Sequence, residues 1–120
     1  MLTLYAYRAC STCRRAEKWL QEHQIDYNFV SVKTANLQAA DIVRWQKLSN
    51  LPLKRFFNTS GQVYRRLNLK DKLANLTEDE QRQILISDGM LLKRPILVAE
   101  NFVLVGFQEA EWAAKLDQLA

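Results

Sequence analysis

The sequence predicts an α/β fold, a four-stranded mixed sheet covered by helices. Three observations carry that reading. Residues 2–32 run through strand, helix and strand patterns, a β-α-β unit whose strands lie parallel. Residues 93–120 read as strand, turn, strand and helix, a hairpin closed by an amphipathic helix. Between them, 34–88 carries helical periodicity and turn chemistry without a strand pattern. The 120 residues suit one domain. Its sheet core is expected at about 1–33 and 90–120, with an all-helical insert at about 34–89.

The first strand is the apolar run 2–7. It leads into Tyr7-Arg8-Ala9-Cys10-Ser11-Thr12-Cys13-Arg14-Arg15, which holds both cysteines of the chain. A helix follows over about 11–23, capped by Cys10 or Ser11, with Ala16, Trp19 and Leu20 on one side. The spacing puts both sulfurs on one face of the first turn. Cys10 stands at the helix N-terminus, where unpaired N–H groups and the macrodipole favour a thiolate. Arg8, Arg14 and Arg15 are expected to crowd the site and favour it further. His23, the only histidine, reads as a surface residue at the helix C-terminus. The second strand, 27–32, alternates in part.

In the middle segment Leu37, Ala40 and Val43, and Ile42, Trp45 and Leu48, form two overlapping helical stripes. Pro52 can open a short helix over 53–57 through its fixed φ. Asn58-Thr-Ser-Gly61 is turn chemistry, with Gly61 expected at positive φ. Val63, Tyr64 and Leu67, then Leu73 and Leu76, supply further apolar points. Thr77-Glu-Asp-Glu80 fits a capping box opening a helix through Ile84 and Leu85, and Gly89 reads as its stop. Residues 93–99 and 102–105 then form the hairpin about Glu100-Asn101. Trp112, Leu116 and Leu119 mark the closing helix over 108–119. Apart from the insert, this is the element order of thioredoxin. A C-x-x-C at a strand-to-helix junction is also the sequence form of a thioredoxin-like redox site.

The composition is that of an ordinary globular protein, 48% apolar and 25% charged. No apolar run approaches the roughly 20 residues of a membrane span, and no signal peptide stands at the N-terminus. Two cysteines without an export signal point to a reducing cytoplasm. The net charge of +4 is spread along the chain and interrupted by acids. No basic stripe or nucleic-acid reading motif accompanies it, so direct nucleic-acid binding is not expected.

A cysteine pair allows three readings. It can do thiol–disulfide or thiol–oxyanion chemistry, with Cys10 attacking and Cys13 closing an intramolecular disulfide. It can be half a metal site, but a second C-x-x-C or histidine pair is missing. It can also be a buried cysteine beside an incidental one. Arg94-Pro95 is the second feature of interest. A residue before proline is held extended, and an X-Pro bond can be cis. In a thioredoxin-type layout this segment faces the cysteine loop, and Arg94 offers an anion its guanidinium. Otherwise Arg94 is a surface residue at a strand start.

Leu4-Tyr5, Cys10-Ser-Thr-Cys13-Arg-Arg-Ala16, Phe57-Asn58-Thr59, Asp88-Gly89-Met-Leu, Lys93-Arg94-Pro95-Ile96 and Val105-Gly106-Phe107 together resemble the ArsC/Spx family. That family comprises thioredoxin-fold arsenate reductases, the Spx and MgsR regulators and uncharacterised relatives. Within it the chain is most similar to the small YusI-like branch. The resemblance implies that the helical insert packs beside a thioredoxin-like core. It implies that Cys10 is the nucleophile, that Arg94 holds an oxyanion and that Pro95 is a cis-proline.

It also marks departures. The arsenate reductases use three arginines, and two of those positions fall near the uncharged Asn58 and Phe107. They also generally lack the second cysteine, so arsenate is not the expected substrate. The Spx regulators use C-x-x-C as a disulfide switch and bind the RNA polymerase α subunit. The glycine they present to polymerase falls near Pro52, and their basic C-terminal extension is not expected after Ala120. The implied activity is thiol–disulfide oxidoreduction by Cys10 and Cys13, with thioredoxin or a low-molecular-weight thiol as reductant and no metal or organic cofactor. The alternative is an Spx-like redox sensor that contacts RNA polymerase.

Overall fold

A computed structural model of the chain describes residues 1–117. Four strands form one sheet: β1 (Thr3–Ala6), β2 (Asn28–Ser31), β3 (Ile96–Val98) and β4 (Val103–Val105), in the order β2-β1-β3-β4. Helix α1 (Ser11–Glu22) returns the chain between β1 and β2, which therefore pair in parallel. β3 is antiparallel to both β1 and β4. The hairpin closes where the Ala99 N–H donates to the Phe102 carbonyl at 2.9 Å. The expected mixed α/β sheet is the one observed.

Strand side chains alternate between two faces. Leu4 and Ala6 of β1, Leu97 and Leu104 share a core with Cys13, Ala16 and Leu20 of α1 and with Trp112 and Leu116 of α6 (Glu109–Leu116). Tyr5, Ile96, Val103 and Val105 belong to the opposite core, with Ile42 and Trp45 of α2 (Ala39–Ser49). The first face is thus covered by α1 and α6, whose apolar residues recur at helical spacing. Trp112 is fully buried, and its indole N–H donates to the Gly106 carbonyl at 3.0 Å. That bond satisfies the one polar atom the ring carries inward.

The second face is covered by shorter pieces. After α2 come a 3-10 turn (Leu53–Phe56), α3 (Gln62–Arg66), α4 (Leu69–Lys72), a second 3-10 turn (Leu73–Asn75), α5 (Glu78–Ser87) and a third 3-10 turn (Gly89–Leu91). Pro52 caps the first turn as its fixed φ favours. The capping box forms at α5: Thr77 Oγ1 accepts from the Glu80 N–H at 3.1 Å, and Glu80 Oε1 accepts from the Thr77 N–H at 2.9 Å. An antiparallel bridge between Phe57 and Leu92 ties the segment to the approach to β3.

Gly61 differs from expectation, whereas Gly89 directly follows the C-cap of α5, where the helix is expected to stop. Gly61 is extended, with φ −79°, at the N-cap of α3. The positive-φ positions fall instead to Gly106 and to Asn36, Asn50, Asn68 and Gln24, and asparagine tolerates that region through local hydrogen bonding. A Cβ on Gly61 would come within 2.8 Å of the Asn58 side chain, so it answers a close approach and not a handedness requirement. Gly89 opens a 3-10 turn after Asp88 caps α5. A Cβ there would overlap the Val32 carbonyl, so its smallness lets the Asp88–Gly89 turn lie against the end of β2. The part of the expected closing helix on 118–119, Leu119 included, lies outside the described residues. Among the described residues, no helix is long and apolar enough to cross a membrane.

Candidate active site

β1 ends at Ala6, and the turn into α1 begins at Tyr7. Two backbone groups of Tyr7 hold that turn. Its carbonyl accepts from the Cys10 N–H at 3.0 Å, and its N–H donates to Cys13 Sγ at 3.5 Å. Cys10 takes the N-cap position in extended backbone (φ −83°, ψ 125°), and its carbonyl accepts the Arg14 N–H at 3.0 Å. Ser11 is the first helical residue. Both cysteines are free thiols, but their surroundings differ. Cys10 is half-buried at the end of the helix. Cys13, one turn in, is fully buried.

The difference divides the two thiols chemically. Burial pushes the Cys10 thiol up, but the backbone N–H of Cys13, the Cys13 thiol, the Thr12 N–H and the Arg94 charge outweigh it. The net effect holds Cys10 below its ordinary value. Burial pushes the Cys13 thiol up to about 12; the Tyr7 N–H and Arg94 oppose that, and the neighbouring Cys10 charge adds to it. Near neutral pH the accessible sulfur is the one disposed to ionise, and the buried one keeps its proton.

The arginine that acts on both sulfurs is Arg94, which corrects the expectation that Arg8, Arg14 and Arg15 crowd them. Arg8 turns away. Its guanidinium lies 4.0 Å from the Phe29 ring centroid and 3.9 Å from Glu17 Oε2. Arg14 and Arg15 are exposed, and Arg15 reaches back only to Thr12 Oγ1 at 3.4 Å. Helical geometry explains this: residues just after an N-terminal pair point around the cylinder, away from the sulfurs. His23 is exposed as read, with Nδ1 2.8 Å from the Trp19 carbonyl.

Arg94 and Pro95 come to the cysteine loop through the sheet. The antiparallel register pairs Tyr5 with Ile96, so the preceding Arg94-Pro95 lies beside the end of β1 that runs into the loop. Their peptide bond is cis. Arg94 Nη1 donates to the Met90 and Leu92 carbonyls at 3.2 and 3.3 Å, folding the side chain onto the last 3-10 turn. Its Nε is buried without a partner. The two uncharged positions flank this segment. Asn58 donates its N–H to the Leu91 carbonyl at 2.7 Å. Phe107 follows Gly106, whose N–H donates to the Pro95 carbonyl at 2.8 Å. The Phe107 ring stands edge-on to Trp112 at 4.9 Å. Among the described residues, no group of three His, Cys, Asp or Glu side chains is placed to hold a metal ion.

Tyr7 is the residue whose part sequence reasoning missed. It was visible as the last residue of the first strand pattern. That its N–H meets a sulfur six residues later depends on how the loop closes in space.

A thioredoxin-like sheet carrying an accessible and a buried thiol on its first helical turn, with a cis-proline segment beside them, defines the class of this protein. The chain belongs to the ArsC family, whose model matches residues 5–115. It is 46% identical over 111 residues to the uncharacterized protein YusI of Bacillus subtilis (strain 168), covering 92% of this chain and 94% of that one. It is 30% identical over 111 residues to the Global transcriptional regulator Spx of Lactiplantibacillus plantarum, covering 92% of this chain and 83% of that relative. Among solved structures, it matches a possible arsenate reductase from Streptococcus mutans UA159 with a TM-score of 0.86, 48% identity and 98% of each chain covered. The family read from the motifs is therefore the right one.

Proposed function

We propose that the chain is a thiol–disulfide oxidoreductase of the ArsC family, with Cys10 as nucleophile and Cys13 as resolving thiol. The observation that carries this reading is the asymmetry of the two thiols, an accessible Cys10 held low and a buried Cys13 held high. The Cys10 thiolate attacks one sulfur of a disulfide, the S–S bond breaks, and the leaving thiolate takes up a proton. Cys13 then loses its proton and attacks the Cys10 sulfur. The second thiol leaves, and an intramolecular disulfide remains. Two electrons have passed from the dithiol to the substrate. Thioredoxin or a low-molecular-weight thiol such as glutathione returns them, in a reducing cytoplasm. Arg94 contacts the anionic part of the substrate, and Pro95 shapes the backbone on the substrate side. A single arginine flanked by Asn58 and Phe107 makes a weak arsenate cage, so arsenate is not the favoured substrate.

Turnover tests the reading. The reduced protein is mixed with a glutathione mixed disulfide, a protein disulfide or arsenate, each with thioredoxin or glutathione recycling. Steady disulfide turnover is expected, lost in Cys10→Ala, with Cys13→Ala trapping a mixed disulfide on Cys10. No Cys10-dependent turnover of any disulfide overturns the proposal, and turnover of arsenate alone replaces it.

The likeness to a protein called a global transcriptional regulator favours a second reading. Here the Cys10–Cys13 disulfide biases a conformation, and the protein binds the RNA polymerase α subunit. Pro52, exposed before the first 3-10 turn, stands where the regulators' glycine is expected and counts against it. Capture of the α subunit from a host lysate in one redox state supports the sensor; no capture in either state rejects it.

A further inference from the structure

We propose that Lys33, acting with Arg94 around the Tyr7 ring, makes this site selective for disulfides that carry a carboxylate close to sulfur. This rests on the oxidoreductase reading and names the substrate class it acts on.

Three observations lead there. First, two cations lie near the ring of Tyr7, which packs on the Ile96 side of the sheet while its backbone belongs to the cysteine loop. Lys33 Nζ lies 5.1 Å from the Tyr7 ring centroid, and the Arg94 guanidinium carbon lies 5.7 Å from the same centroid. Each is attracted to the ring by its quadrupole. Their mutual repulsion acts on the scale of the roughly 8 Å screening length of physiological salt. An anion bound near both would offset that repulsion. Second, neither cation is paired to an acid among the described residues, although Arg94 Nη1 already donates to the Met90 and Leu92 carbonyls. Among the described residues the ion pairs use Arg8 and Arg82, and neither Lys33 nor Arg94 has a carboxylate partner. Asp88, the one acid near Lys33 in the adjoining cleft, is engaged by the Met90 N–H at 2.9 Å. Third, Tyr7 belongs to the cysteine loop itself. The residue whose ring gathers the cations also hydrogen-bonds Cys10 and Cys13 through its backbone.

The arrangement has a chemical consequence. An approaching disulfide with a carboxylate near its sulfur would be drawn to the Lys33–Arg94 pair while its sulfur reaches Cys10. A cationic disulfide would meet two like charges. The reaction itself is unchanged: the Cys10 thiolate displaces one thiolate from the disulfide, and Cys13 displaces the second. Lys33 is then a specificity residue. It lies just beyond β2, far in sequence from both cysteines and from Arg94.

The test uses three alkyl disulfides with similar leaving groups and different charge: 3,3′-dithiodipropionate, bis(2-hydroxyethyl) disulfide and cystamine. Single-turnover oxidation of the reduced full chain is followed by loss of free thiol. Each rate is divided by that of dithiothreitol with the same disulfide. The normalised order expected is anionic, then neutral, then cationic. Lys33→Glu should lower the anionic-to-cationic ratio by about tenfold, the size of a screened charge interaction near a protein surface. Lys33→Arg should keep the ratio, as should Lys47→Glu, a charge change on α2. High salt should shrink the preference in the unaltered protein. An equal ratio in Lys33→Glu and the parent chain overturns the proposal, as does an equal fall in Lys47→Glu. If none of the three oxidises the protein in a Cys10-dependent way, the oxidoreductase reading fails and this inference falls with it.

Discussion

The two faces of the sheet are built on different plans. One is covered by α1 and α6, whose apolar residues repeat at helical spacing and bury Trp112 and Leu20 completely. The other is covered by four helices and three 3-10 turns, several of them only three to five residues long. Helices that short are not stable by propensity, since nucleation is costly and few bonds follow it. They persist through particular contacts: a capping box at Thr77, a carbonyl pressed on Gly89, an asparagine in the left-handed region at Asn50. The regular face carries the cysteines, and the irregular face folds Arg94 toward them. Reactivity is thus shared between a stiff element and a set of individually tuned ones.

The largest expected effect separates the two thiols on the regular face. Near neutral pH, Cys10 should alkylate with iodoacetamide roughly a thousandfold faster than Cys13, because reactivity follows the thiolate fraction and access. Peptide mapping after timed quenching reads this, and similar rates would remove the division of roles. Packing comes next. Trp112→Ala should destabilise the fold by about 3–5 kcal/mol in urea, through the lost ring and the unpaired Gly106 carbonyl. On the irregular face, Gly89→Ala should cost about 3 kcal/mol, because the obstacle is the Val32 backbone, which cannot swing aside. Wild-type stability in that variant would sink the contact argument. Thr77→Ala should cost only about 1 kcal/mol, the usual value of an N-cap.

A pH slope tests the buried thiol separately. Cys13 in the unfolded chain ionises near 9.0, while the folded chain holds its proton to about 12. The unfolded state therefore binds fewer protons over that window, and stability falls as pH rises through it. Cys10 has the opposite sign. Its lowered folded value contributes stability that is present above 9.0 and lost as pH falls through that lowered value. Urea midpoints against pH should show a shallower alkaline decline in Cys13→Ala than in the parent chain. An unchanged decline would show that the buried thiol is not its source.

Much of this was legible in the sequence where one periodic signal sufficed. β1, α1 and α2 follow from apolar spacing, the hairpin from its turn residues, and α5 from the Thr77–Glu80 pair. The cysteine pair and Arg94-Pro95 stood out by residue type and order. Gly61 was misread because glycine serves close approaches as well as positive φ. The arginines beside the cysteines were misread because nearness in sequence is not nearness around a helix.

The sequence by itself determined the sheet, the helix that begins at Ser11 and the position of both sulfurs on its first turn. These depend on hydrophobic period and local backbone bonding, which are written in neighbouring residues. Only the tertiary structure decided which sulfur is buried, that Arg94 and not Arg8 acts on it, that the Tyr7 backbone bonds both cysteines and that Lys33 stands over the Tyr7 ring. Electrostatics and desolvation act through space, and the β1–β3 register and the β2-to-α2 connection bring those groups together from distant parts of the chain.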